Sequence, residues 1–158
     1  MRVEYINPFV ESAYSVLSEV LQADVQRGEL YLKSAAMPML GIAAIVGLAG
    51  DVEGRVLFDM NVDTGIAVAS GMLSNMEMEP VTEFNDMARA TITELANMIT
   101  GQAVTKLHNL GFKFDLTPPA IFKGENMEIS DPDFEALIVP MILPMGKIEV
   151  NVAIRERA

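Results

Sequence analysis

Between Phe84 and Leu110 the apolar residues Phe84, Ala88, Ile92, Leu95, Ile99, Ala103, Leu107 and Leu110 return every three or four positions. They share one side when each residue advances about 100° around an axis. The spacing predicts a helix over 82–110, closed at Gly111, where a left-handed C-terminal cap is expected. Lys106 falls inside the stripe near the helix end, where its stem can cover apolar surface while its ammonium stays wet. A helix this long needs a broad apolar sheet beneath it, and the rest of the chain must supply one.

The remaining segments read as hairpins rather than as strands alternating with helices. Asn7-Pro8 offers an N-cap followed by proline at the first helical position. Phe9, Ala13, Val16, Leu17, Val20 and Leu21 then predict an amphipathic helix ending near Asp24. Alternation through Glu29–Lys33 predicts a strand, and the apolar run near residues 40–49, within the uncharged and β-rich stretch Ser34–Gly50, predicts a buried one. Gly50-Asp51 turns the chain into a returning strand over Gly54–Met60. Ile66, Ala69, Met72 and Leu73 predict a short helix, despite Gly65 and Gly71. After Thr117-Pro118-Pro119 breaks the chain, strands are expected at Ala120–Lys123, Met127–Ile129, Phe134–Leu143 and Lys147–Arg155, with Pro144-Met145-Gly146 as a turn. Strands grouped in this way predict an α+β domain: an antiparallel sheet built from hairpins, with long amphipathic helices on one face. Two halves that each open with a helix and close with strands hint at an old duplication. At 158 residues with no linker, a single domain over 1–158 is expected.

Composition removes several functions. The absence of cysteine excludes disulfides, thiol catalysis and zinc–thiolate sites. Eleven basic against 22 acidic residues give a net charge of −11, which repels phosphate backbones and anionic lipid, so neither nucleic acid nor membrane binding is expected. Residues 34–50 fall short of the ~20 needed to cross a bilayer and are interrupted by Pro38, Gly41 and Gly47. The N-terminus carries no secretory pattern, so a cytoplasmic location is expected. No phosphate loop or ligand cluster stands out, and no cofactor bound by this chain is expected. The twelve methionines read as core filler. His108, the single histidine, reads as a surface residue near a helix C-terminus, too far along the axis from residue 97 to share its chemistry.

The face of the long helix opposite the apolar stripe carries Glu94 and Asn97, three residues apart and therefore neighbours. Ala90 lies one turn before the glutamate and Gly101 one turn after the asparagine. Small residues on both sides leave the carboxylate and the carboxamide unobstructed. Glycine within a helix costs about 1 kcal/mol relative to alanine, and close approach of another surface is one way to offset it. By spacing alone, a Glu and an Asn on a wet helix face are ordinary solvated surface. With no nucleophile or metal-ligand partner beside it, the pair can act only on a substrate that brings much of its own chemistry.

The stretch Thr93-Glu94-Leu95-Ala96-Asn97-Met98-Ile99-Thr100-Gly101 is followed by His108-Asn109-Leu110-Gly111 and Thr117-Pro118-Pro119. Together with the Gly47–Gly54 hairpin, it resembles the signature of the CheC/CheX/FliY phosphatase family, which dephosphorylates the chemotaxis response regulator CheY. Within that family the chain is most similar to the CheX branch. CheC-type members carry a second Glu-x-x-Asn in the first helix; here that helix has Glu11-Ser12-Ala13-Tyr14, which favours one active site per chain. Ala90 also departs from the family pattern, which often has serine or aspartate there.

The resemblance implies a phosphatase acting on the aspartyl phosphate of a CheY-type receiver domain, with Mg2+ held by that partner. Asn97 would orient the attacking water, and Glu94 would pair with the receiver's lysine. Ala90, Met98 and Gly101 would be partner contacts. A homodimer joined through edge strands is also implied. The alternative is a non-catalytic module of the same fold that binds a receiver domain or a flagellar switch component.

Overall fold

The computed structural model describes residues 3–33, 37–129 and 135–156. Its first helix, α1, runs Val3–Leu21. Asn7 and Pro8 therefore lie inside it rather than at its start, and the expected end near Asp24 comes three residues early. Proline lacks an N–H and forfeits one helical bond. Burial of Tyr5 and Ile6 outweighs that loss. The Tyr5 hydroxyl donates to Glu156 at 2.5 Å, and its ring meets Phe112 edge-on with centroids 4.8 Å apart.

After α1 come β1 (Gln26–Arg27), β2 (Tyr31–Lys33), β3 (Met37–Pro38), β4 (Ile42–Gly50) and β5 (Val52–Met60). Two helices follow, α2 (Val62–Asn75) and α3 (Asp86–Asn109). The chain closes with β6 (Phe114–Leu116), β7 (Ala120–Lys123), β8 (Glu128–Ile129), β9 (Ala136–Leu143) and β10 (Gly146–Glu156). The strand expected over Glu29–Lys33 keeps only its last three residues. The first residues of the uncharged stretch, 34–36, and Phe134 lie outside the described residues.

The main sheet has the order β1-β9-β10-β5-β4-β6, with β2 also paired to β9 and β7 to β4. All of these pairings are antiparallel, as hairpin grouping requires. Strands β3 and β8 form a separate small antiparallel pair. The helices share a core with one face of the main sheet, against Ile42, Ala44, Val56, Phe58, Met60, Val139, Met141, Val150 and Val152. Alternation along each strand turns the intervening residues to the opposite face.

The two hairpin segments singled out in the sequence have firm structural reasons. At Gly54 φ is +144°, and an added Cβ would lie 1.9 Å from the Ala153 carbonyl oxygen, so no other residue fits there. The Thr117-Pro118-Pro119 break is clasped to β4: the Gly47 N–H donates to Thr117 Oγ1 at 2.8 Å, and the Thr117 N–H donates to the Gly47 carbonyl at 3.0 Å. Helix α2 is fuller than its two glycines suggested. Asn61 caps it by accepting from the Thr64 N–H at 2.7 Å, and Gly65 lets it press onto Ile42.

Candidate active site

Helix α3 is fixed at both ends. Asn85 caps its start, accepting from the Ala88 N–H at 2.9 Å, with Asp86 in the first turn, where the helix dipole favours an anion. The Phe112 N–H donates to Leu107 and the Gly111 N–H to His108, closing the far end as a Schellman motif around a left-handed Gly111 at φ +96°. Arg89 ties the first turns sideways, donating to the Ile121 carbonyl at 3.1 Å and lying over the Phe84 ring. Neither the Asn85 cap nor the Arg89 strut figured in the sequence reading, although asparagine before an acidic first turn is a recognisable cap signal.

The expected buried stripe holds at Ala88, Ile92, Leu95, Ile99, Ala103 and Leu107. It fails at its ends. Phe84 precedes the helix, partly buried, and Leu110 is exposed because the cap turns the chain away there. Lys106 pairs with Glu11 of α1 at 3.5 Å.

Glu94, Asn97, Ala90, Met98 and Gly101 all lie on the exposed side of this anchored helix. Among the described residues no side chain bonds the Glu94 carboxylate or the Asn97 carboxamide. An added Cβ at Gly101 would meet nothing within 4 Å. The chain's own packing therefore gives no reason for glycine at this position, and its helical cost of about 1 kcal/mol is not offset internally.

The corresponding residues of α1 are engaged. Glu11 faces Lys106, and Tyr14 lies beneath the Arg27 guanidinium, 5.4 Å from its ring centroid. His108 is exposed, with Nε2 3.3 Å from the Phe114 carbonyl and its ring edge-on to Phe114, a structural posture apart from Asn97.

The methionines divide differently from expectation. Met60, Met72 and Met141 are core residues, whereas Met76, Met78, Met87 and Met98 are exposed. Met87, which the sequence reading passed over, lies seven residues before Glu94 on the same helical line; that spacing was the available signal.

A second polar cluster occupies the far face of the sheet. Asp59 and Glu149 are cross-strand partners on β5 and β10, and both are buried. The Leu40 N–H donates to both Asp59 oxygens at 3.0 and 3.1 Å, while Tyr31 donates to Glu149 and Lys147 pairs with Glu149 at 3.1 Å. Burial, reinforced by the Glu149 charge, pushes the Asp59 carboxyl up to about 6. Burial and the bond to Glu149 likewise raise the Tyr31 phenol. The cluster lies across the sheet from the helices and fastens the chain around residues 31 and 40. Among the described residues, no group of three His, Asp or Glu side chains is arranged to hold a metal, and no helix is long and apolar enough to cross a membrane.

A family model described as chemotaxis phosphatase CheX matches residues 42–141. A Thermotoga maritima protein described as CheY-P phosphatase CheX is 27% identical over 129 residues, covering 82% of this chain and 81% of the relative. A crystal structure of a CheX–CheY complex with BeF3 and Mg2+ from Borrelia burgdorferi contains a chain 48% identical to this one. That match covers 98% of this chain and 100% of the other, with a TM-score of 0.83. A CheC-like superfamily protein from Shewanella sp. PV-4 has the same fold, with a TM-score of 0.87, 24% identity, and coverage of 98% of this chain and 99% of that one. The matched region contains β4, β5, α2 and the whole of α3, and the chain belongs to the CheX family.

Proposed function

We propose that this protein is a phosphatase for the aspartyl phosphate of a CheY-type receiver domain, with α3 as the inserting element. The observation that carries the reading is the state of α3: it is capped and buried along one side, yet it presents a Glu94 and an Asn97 whose side chains have no partner among the described residues, beside a Gly101 whose missing side chain would meet nothing. The family, and the relatives described as a CheY-P phosphatase and as a CheX–CheY complex, support the choice of substrate.

An aspartyl phosphate is an acyl phosphate, already reactive, and its receiver supplies the Mg2+ and lysine that stabilise charge. What remains is placement of a water in line with the phosphorus–oxygen bond. A carboxamide suits that task because it offers both a donor and an acceptor while carrying no charge that would repel the phosphoryl oxygens. Asn97 orients the water. Glu94, one turn earlier on the neighbouring line, pairs with the receiver's lysine and sets the register of docking. Ala90, Met98 and Gly101 form the surface on which the receiver rests. The reading implies a cytoplasmic enzyme with no cofactor of its own.

The same reading includes a homodimer. Among the described residues β2 pairs only with β9, and Leu30 and Leu32 at this edge are exposed apolar residues. Such an edge invites pairing with a second copy.

The test is the decay of a radiolabelled, phosphorylated receiver with Mg2+ present. Catalytic amounts of this protein accelerate it over many turnovers, and Asn97→Ala removes most of the acceleration. If no receiver domain of the host decays faster, the protein is a binding module.

A further inference from the structure

Along α3 the residues Met87, Glu94 and Met98 lie within about 40° of one another, with Met87 roughly 10 Å before Glu94 and Met98 roughly 6 Å after it. Both methionines are held open to solvent, 47% and 36% exposed. Asn97 and Ala90 occupy the adjoining line. From Met87 to Thr105 the helix contains a single acidic residue, Glu94, in a chain that carries 22 acidic residues. The single basic residue of that span, Arg89, is turned to Ile121 and Phe84. Beyond Asp86 in its first turn, the long helix of an acidic protein thus exposes one carboxylate, between two thioethers. An ordinary solvated face would be dotted with charge.

We infer that Met87 and Met98 are the specificity shoulders of the docking site: they close over the Glu94–lysine pair when the receiver seats and keep water from it. The inference rests on the function proposed above and names Met87 as a further determinant of it. An ion pair in a wet interface gains little, because water and salt screen it. Near-neutral groups that exclude water around a central polar anchor raise its contribution. Methionine suits the position because its flexible thioether moulds to a partner surface without a fixed shape of its own. The occupant is the receiver surface around its active-site lysine, since that is the cation Glu94 is placed to meet.

The experiment compares wild type with Met87→Gln, Met98→Gln and the double variant, alongside Met87→Leu and Met98→Leu. Glutamine keeps the length and removes the apolar end; leucine keeps the apolar character. Two readouts are taken: turnover of the phosphorylated receiver, and affinity for receiver activated with beryllofluoride and Mg2+. The double glutamine variant raises KM and weakens affinity by roughly fivefold or more, while kcat stays within about twofold. Its affinity also falls more steeply with added salt, as an unsealed ion pair must, and the leucine variants restore both. Unchanged affinity and unchanged salt dependence in the double glutamine variant overturn the inference. If wild type binds the activated receiver without turning over the phosphorylated one, the phosphatase reading fails and the shoulders are still judged from affinity. If wild type does not bind, both fall.

Discussion

Helices α1 and α3 lie side by side in opposite directions, with Tyr5 against Phe112 and Glu11 against Lys106. Each carries an outward glutamate followed three residues later by a polar or aromatic residue: Glu11 and Tyr14 on one, Glu94 and Asn97 on the other. Their surroundings differ. In α1 the glutamate pairs with a lysine, and an arginine lies over the half-exposed tyrosine ring. In α3 the same positions have no side-chain partner among the described residues, and the flanking residues are alanine and glycine. Spacing is therefore a poor guide to a site. What separates the two pairs is that, among the described residues, Glu11 and Tyr14 already meet a lysine and an arginine, whereas the side chains of Glu94 and Asn97 meet neither.

The strongest way to break this contrast is to truncate the second residue of each pair. Asn97→Ala lowers the dephosphorylation rate by ~100-fold while leaving the folded state intact, as loss of one oriented polar group does. Tyr14→Ala leaves the rate unchanged, and an equal loss in both variants would abolish the distinction. Charge reversal comes next. Glu94→Lys weakens affinity for the activated receiver by about tenfold or more, measured by titration. Glu11→Gln leaves that affinity unchanged and shifts stability by less than about 0.5 kcal/mol, since its ion pair is largely exposed. Gly101→Ala sharpens the comparison by separating stability from function. It raises unfolding stability by about 0.5–1 kcal/mol and lowers kcat/KM, because the added methyl improves the helix and obstructs the partner. A stabilised variant with undiminished kcat/KM would remove Gly101 from the docking surface.

The smallest effect lies away from both helices. Asp59 holds its proton up to about pH 6 in the folded chain and releases it near 3.8 when unfolded. Between those values the native state binds more protons than the unfolded one. This carboxyl therefore lowers stability as pH rises from about 4 to about 6, with no further change above. Asp59→Asn keeps an acceptor for Leu40 and flattens that part of the stability–pH curve. Chemical denaturation at pH 4.5 and 7 reads the difference.

Much of this architecture was legible in the residues. Period and punctuation located the long helix, the two hairpins and the antiparallel sheet, because hydrophobic burial and turn chemistry act locally. Asn7-Pro8 misled for a physical reason: its local cap preference is outweighed by burial of Tyr5 and Ile6, and the Tyr5 partners Phe112 and Glu156 lie more than a hundred residues away. Glu94 and Asn97 were visible as an outward pair, and the family signature singled them out. That their side chains have no partner among the described residues was not visible, since it depends on the tertiary placement of distant side chains. Strand register alone joins Asp59 to Glu149, so their burial together left no trace in the spacing of either segment.

Asn97 stands on backbone flanked by Leu95, Ala96, Ile99 and Thr100, each no more than 2% exposed, and the Thr100 hydroxyl donates to the Ala96 carbonyl. The main chain beneath the candidate catalytic group therefore loses its conformational entropy when the protein folds, not when it meets its partner. What is left to order at encounter is a short side chain and a water. An enzyme that must find a transient signal, act and leave gains from such rigidity, because little freedom is lost on each collision. Amide hydrogens through this turn should be among the slowest in the molecule to exchange with solvent, reporting the stability of the whole fold at the proposed docking face.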